Sequence, residues 1–108
     1  MKQDLLKIIN YYGIDKQLKY IHSEYFELDE AIINYENYED LVDIEEGTKN
    51  SLKNDIVGEI ADVMVMLKQF QYYYGIDDEK IEEIMEHKID RQLIRIKNET
   101  NERLMEDN

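Results

Sequence analysis

Residues 56–67 read I-V-G-E-I-A-D-V-M-V-M-L, and this stretch decides the fold. Apart from Gly58, Glu59 and Asp62, every residue in it is apolar. A helix of this composition has no broad face for solvent, so we expect its two carboxylates to point into a packed interior or a cleft. A buried ionised carboxylate is costly unless it is paired or bound to a metal. Two acids three residues apart, on one face of such a helix, therefore indicate a functional cluster.

A second pair of acids lies upstream. Residues 23–32 read S-E-Y-F-E-L-D-E-A-I, which places Glu24 and Glu27 on one face of another helix. Carboxylates suit Mg²⁺ and Mn²⁺, and Mg²⁺ commonly bridges protein carboxylates to substrate phosphates. Around one cleft, each like-charged pair would repel by roughly 4 kcal/mol at about 4 Å and an effective dielectric constant near 20. A bound cation, or protonation of some members, must then hold the four acids together.

Both pairs also have a plainer interpretation. The chain has 26 acidic residues, so Glu24 and Glu27 alone would be read as a solvated helix flank. Glu59 and Asp62 differ because their neighbours are apolar. For these two, a functional role and a buried ion pair with Lys or Arg are equally good explanations.

Composition favours one folded domain over residues 1–108. Hydrophobic residues make up 43% of the chain and charged residues 36%, with no proline and no cysteine. No apolar run approaches the roughly 20 residues of a membrane span, and no signal-peptide pattern is present, so we expect a cytoplasmic protein. The net charge of −13 argues against nucleic acid and anionic membranes as partners. Such a chain can still bind a polyphosphate through bridging metal ions.

Apolar periodicity predicts an all-α fold, an antiparallel bundle of about four helices. We expect helices over about 2–12, 15–35, 50–74 and 78 to the upper nineties, with a polar, frayed tail over about 98–108. The stretch 36–50 is expected to be a loop, with one helical turn around 41–44. Tyr-Tyr-Gly-Ile-Asp occurs twice, and its glycine and aspartate suit the end of one helix and the N-cap of the next.

Apolar stripes assign the predicted core. The stripe of the second helix comprises Leu18, Ile21, Tyr25, Leu28 and Ile32; that of the third includes Leu52, Ile56, Ile60, Val63, Leu67 and Phe70. A bundle of this size leaves apolar edges without partners, such as Met64, Met66 and Tyr72. We therefore expect a homo-oligomer, most simply a homodimer, to complete the fold.

Three segments together resemble the MazG-like nucleotide pyrophosphohydrolases over about residues 14–97. The segment around Gln17-Leu18, Ile21 and Glu24-Tyr-Phe-Glu27-Leu28 resembles the first signature helix of that family. Glu59-Ile-Ala-Asp62-Val63 resembles the second, and the segment from Lys88 through Arg91 to Ile96 resembles the basic stretch on the helix that follows. Ser23 and Tyr20 stand where the family often has an acid and a lysine, and the connection between the acidic motifs is long.

The resemblance implies an all-α homodimer or homotetramer that hydrolyses nucleoside triphosphates to monophosphates and pyrophosphate. It implies Mg²⁺, with Mn²⁺ as a substitute, held by Glu24, Glu27, Glu59 and Asp62. Glu27 is the candidate general base. Lys88 and Arg91 are candidate phosphate contacts, and Gln17 is a candidate contact to the base.

Other interpretations stay open. A related pyrophosphatase would act on dUTP or dCTP, or on a phosphoribosyl nucleotide. A different class is an acidic helical interaction protein without catalysis, whose charge is its function. Lys88 and Arg91 equally suit surface salt bridges, and Gln17 suits an exposed helix position.

Overall fold

The computed structural model describes residues 1–39 and 45–106. It contains four α-helices: α1 (Lys2–Tyr12), α2 (Ile14–Glu39), α3 (Glu46–Tyr73) and α4 (Asp78–Glu106). The predicted all-α class is therefore confirmed. α2 and α3 both extend further into the polar stretch 36–50 than the sequence pattern predicted. The helical turn predicted around 41–44 lies outside the described residues.

The two Tyr-Tyr-Gly-Ile-Asp segments connect helices through a glycine with positive φ. Gly13 has φ 89° and Gly75 has φ 68°, a conformation that residues with a Cβ rarely adopt. In the second copy Asp77 caps α4, because its Oδ1 accepts a hydrogen bond of 2.8 Å from the Lys80 backbone N–H. In the first copy α2 begins one residue earlier, so Asp15 lies within its first turn and is not the predicted N-cap.

Helices α1, α2 and α3 pack together in a unit that spans Met1–Gly75. Fully burying an aliphatic side chain stabilises a fold by about 1.5–3 kcal/mol, so a few well-placed residues hold three helices. Ile9 of α1 is completely buried. The buried apolar side chains of this unit are Leu5, Ile9, Ile21, Ala31, Val63, Met66 and Tyr72.

α2 turns a different face inward from the predicted one. Leu18, Tyr25 and Ile32 of the predicted stripe are exposed. The buried residues of α2 are Gln17, Ile21, Glu24 and Ala31. The inward face of α2 is thus both polar and apolar. Gln17 on this face hydrogen-bonds Gln69, and Glu24 belongs to a group of acids shared with α3.

α3 also departs from the predicted pattern. Its stretch 56–67 does have a solvent face, with five large apolar side chains exposed: Val57, Ile60, Met64, Val65 and Leu67. Met66 and Tyr72, expected at an unpartnered edge, are buried instead. The interior residues of α3 are Val63, Met66, Gln69, Gln71 and Tyr72.

A buried amide pair joins α2 to α3. The side-chain Nε2 of Gln17 donates a hydrogen bond of 2.8 Å to Oε1 of Gln69. Gln17 lies near the start of α2 and Gln69 near the end of α3. The acids that meet follow Gln17 in α2 but precede Gln69 in α3, so the two helices are antiparallel. An amide placed in an apolar interior without a partner would be costly, so the pair specifies how the helices align.

α4 belongs to a second unit, Ile76–Asn108. The helix continues to Glu106, although a frayed, polar tail was predicted from about residue 98 onward. Every residue of α4 is described, and none is buried. Over residues 1–39 and 45–106, no helix combines the length and apolar character that crossing a bilayer requires.

Candidate metal centre

Four acidic side chains from two helices converge in the Met1–Gly75 unit. α2 contributes Glu24 and Glu27, and α3 contributes Glu59 and Asp62. Each provides one carboxylate oxygen, and these four oxygens all lie within 4.8 Å of one another. We call this group the carboxylate cluster. The structure therefore brings together all four acids that the sequence singled out.

The members of the carboxylate cluster differ in exposure, and not as the sequence suggested. Glu24, which alone would have been read as a solvated flank, is the most buried, with 4% of its surface exposed. Glu59 is half-buried, whereas Asp62 and Glu27 are exposed. The expected cleft is thus present, but its most buried carboxylate, Glu24, comes from α2 and not from α3.

Two buried oxygens of the cluster lack a donor. Oε2 of Glu24 and Oε2 of Glu59 are inaccessible to solvent and have no hydrogen-bond partner within the described chain. Such an atom loses its hydration without compensation. Orphaned carboxylate oxygens are what a missing cation would leave behind.

Burial and mutual repulsion shift the acidity of the site. Desolvation raises the pKa of Glu24 above its ordinary value of 4.5, and the charges of Glu27 and Asp62 raise it further. A hydrogen bond from the Tyr20 hydroxyl acts in the opposite direction. Desolvation likewise raises the pKa of Glu59, followed by the charges of Glu27 and Asp62. A divalent cation would reverse these shifts by favouring the ionised forms.

The dimensions of the cluster suit a hard divalent ion. Two oxygens bound to one Mg²⁺ at about 2.1 Å are at most about 4.2 Å apart. The observed limit of 4.8 Å therefore requires a contraction of about half an ångström, which side-chain rotation supplies. The all-oxygen donor set matches Mg²⁺ and Mn²⁺. The carboxylate cluster could hold such an ion.

A cleft opens beside the carboxylate cluster. It has a volume of about 370 Å³ and shares Glu24 and Asp62 with the cluster. We call it the inner cleft; its other lining residues are Ile8, Tyr12, Lys16, Gln17, Tyr20, Val65, Met66 and Gln69. On the other side, Glu27 and Glu59 line a smaller hollow of about 220 Å³. The cluster is thus accessible from two sides.

Gln17 is not the exposed residue that one interpretation expected. Its side chain is 5% exposed, lines the inner cleft and bonds Gln69. Gln69 is still more buried, at 2%, and its Nε2 lies 3.7 Å from the sulfur of Met66. Both amides therefore lie at the wall of the cleft in a fixed arrangement.

Lys88 and Arg91 lie on α4, in the other unit of the chain, and both are exposed. Their role as phosphate contacts stays a prediction.

Sequence reasoning missed two residues of the inner cleft. Lys16 is the one cation among the described lining residues, and its Nζ lies 5.0 Å from the centroid of the Tyr12 ring. Tyr20 hydrogen-bonds Glu24. A helical signal existed, because Lys16 and Tyr20 precede Glu24 by two turns and one turn on the same face of α2.

Comparisons of the chain with models of protein families, with curated protein sequences and with solved structures give no match.

Proposed function

We propose that this chain is a Mg²⁺-dependent nucleoside triphosphate pyrophosphohydrolase of the MazG-like kind. The reaction is attack of water on a phosphorus atom of the triphosphate, giving a nucleoside monophosphate and pyrophosphate. The observation that carries the proposal is the carboxylate cluster, with its two buried, unpartnered oxygens. The resemblance of residues 14–97 to that family supplies the reaction class.

The buried oxygens favour this proposal over a non-catalytic, charge-mimicking protein. A mimic of a polyanion would present its acids to solvent, where water hydrates them. Here Glu24 is 4% exposed, and one oxygen of Glu59 is inaccessible. Burying acids in this way lowers stability when no ligand is bound, and a bound cation would offset that cost.

A divalent ion bound by Glu24, Glu27, Glu59 and Asp62 would neutralise phosphate charge and lower the pKa of bound water. The protein side chains perform the remaining work. Glu24 and Glu59 anchor the cluster from the interior. Asp62, shared between the cluster and the inner cleft, faces the space where a ligand would lie.

Glu27 is our candidate general base. It belongs to the carboxylate cluster but is exposed, so solvent water has access to it. In the proposed step its carboxylate takes a proton from the attacking water. The new bond forms between that water oxygen and phosphorus, while the bond from phosphorus to the leaving pyrophosphate oxygen breaks.

The inner cleft supports a nucleotide as the substrate. Its volume, about 370 Å³, lies within the roughly 300–1,000 Å³ range of small-molecule sites. Aromatic and apolar side chains, the amides of Gln17 and Gln69, and one cation line it. We assign Lys16 to the anionic part of the ligand, because its long stem can move the ammonium between the Tyr12 ring and the cleft. Lys88 and Arg91 remain further proposed phosphate contacts.

Pyrophosphate release from a panel of ribo- and deoxyribonucleoside triphosphates tests the proposal. The panel should include dUTP, dCTP and a phosphoribosyl nucleotide, each with Mg²⁺ and with EDTA. Metal-dependent release of pyrophosphate, with monophosphate as the second product, supports the proposed reaction. A folded protein that releases no pyrophosphate from any of them would refute it.

A further inference from the structure

Tyr20 lies beside the carboxylate cluster, next to its most buried member, Glu24. It precedes Glu24 by one turn of α2, and helical side chains lean toward the N-terminus, so the two side chains meet. The Tyr20 hydroxyl hydrogen-bonds the Glu24 carboxylate, and both residues line the inner cleft. About half of the tyrosine surface, 53%, is exposed.

The two oxygens of Glu24 have different surroundings. Oε2 is buried and has no partner within the described chain. The hydroxyl of Tyr20 therefore engages the other oxygen. A carboxylate held at one oxygen cannot rotate freely about its last torsion angle, and its second oxygen keeps a fixed direction.

We propose that Tyr20 is a positioning residue that fixes the Glu24 carboxylate so that its second oxygen remains available to a divalent cation. The inference rests on the metal site of the proposed function. It goes beyond that proposal because Tyr20 would act through Glu24 without contacting the ion. Outer hydrogen-bond partners of metal ligands commonly contribute about 10- to 100-fold to metal affinity.

The electrostatic surroundings support this role. The Tyr20 hydroxyl is hydrogen-bonded to Glu24, and the charges of Glu27 and Asp62 also act on it. A tyrosine hydroxyl carries its proton at neutral pH, so it can donate this hydrogen bond. A lysine at this position would add a positive charge that competes with the cation, whereas a tyrosine supplies the hydrogen bond alone.

The test is Mn²⁺ binding to the full-length chain, measured by calorimetry or electron paramagnetic resonance. Tyr20→Phe removes only the hydroxyl, and we expect a loss of Mn²⁺ affinity of about tenfold. Thermal unfolding in EDTA should not fall to lower temperature. Tyr20→Gln, whose amide can again donate to Glu24, should recover part of the affinity.

Tyr25→Phe is the matched control, since it removes a hydroxyl from an exposed tyrosine of the same helix that lines a different hollow. It should bind Mn²⁺ like the original chain. Equal Mn²⁺ affinity in Tyr20→Phe and the original chain would overturn the role of Tyr20 and leave the metal site standing. A parallel loss of affinity and of metal-free stability would show a structural role instead. An original chain that binds no Mn²⁺ would overturn both proposals.

Discussion

Glu24 of α2 and Glu59 of α3 each bury one carboxylate oxygen, Oε2, that has no hydrogen-bond partner within the described chain. Both belong to the carboxylate cluster, in which one oxygen from each of the four acids lies within 4.8 Å of the others. The two helices thus hold partly buried carboxyl groups close together, and the energetic consequences can be measured.

The first prediction concerns pH. The pKa values of Glu24 and Glu59 are raised in the folded chain, so the folded state binds protons more tightly than the unfolded state. In EDTA, the free energy of unfolding should therefore fall as pH rises above about 4.5 through the raised values. Urea unfolding between about pH 5 and pH 8 measures this, above the sequence pI of 4.4. Stability that rises with pH over this range would contradict it.

Removing one charge should separate metal binding from folding. In Glu59→Gln, we expect Mg²⁺-dependent stabilisation and pyrophosphate release to disappear while the helical fold persists, because the cluster loses a ligand. Without metal the variant should be at least as stable as the original chain and show a weaker pH dependence. Glu46→Gln is the control, since Glu46 is an exposed acid at the start of α3 that belongs neither to the cluster nor to the hollow beside it. Unchanged turnover in Glu59→Gln would disprove the ligand assignment.

Lys16 should affect nucleotide binding and leave metal binding intact. Lys16 is exposed, and losing one solvent-exposed ionic contact costs at most about 1 kcal/mol, so Lys16→Met should raise KM by up to about fivefold with little change in Mn²⁺ affinity. Lys19→Met is the matched control because Lys19 lines only a separate groove beside Gly13. Steady-state kinetics on the preferred nucleotide measure both. Equal effects of the two substitutions would point to net charge and not to a contact.

Gly58 lies inside α3, and apart from its chain neighbours and the adjacent helix backbone, a Cβ built on it meets no described atom within 4 Å. Glycine in a helix interior is about 0.5–1 kcal/mol less favourable than alanine. Gly58→Ala should therefore increase the free energy of unfolding by about that amount, measured by urea denaturation. A decrease would show that something closely approaches this face in solution.

We also propose a homodimer. Large apolar side chains of the three-helix unit remain exposed, among them Phe26 at 62% and Met64 at 54%. Sedimentation velocity at micromolar concentration should give the mass of two chains of 13.1 kDa. Phe26→Glu should shift the distribution toward one chain if the α2 face takes part. A stable monomer for the original chain would contradict the proposal.

The sequence predicted four helices and the pairing of acids on one face of α2 and one face of α3, because both follow from spacing along a helix. That the two pairs meet was implied by the family resemblance and not by spacing. Positive-φ turns at Gly13 and Gly75 could be predicted for a similar reason, since few residues tolerate them. These features depend on local chemistry that a short window of sequence contains.

The orientation of α2 could not be predicted in this way. An apolar stripe assigns polar residues to solvent, yet Gln17 and Glu24 face the interior. Gln17 is tolerated there because Gln69, distant in sequence, accepts its hydrogen bond. Apolar periodicity describes one helix at a time, so it cannot identify a hydrogen-bond partner on another helix.

The Gln17–Gln69 bond has a consequence for insertions and deletions. Glu24 follows Gln17 by seven residues, and Asp62 precedes Gln69 by seven, so two helical turns separate the amides from the acids on both helices. Glu27 follows Glu24 by three residues and Glu59 precedes Asp62 by three, so this pair keeps the same alignment. One added residue between Gln17 and Glu24 would rotate an acid by about 100° away from its counterpart. One added residue between Asp62 and Gln69 would have the same effect on α3, because it would turn Asp62 and Glu59 together away from the acids of α2 while the amide pair stays in place.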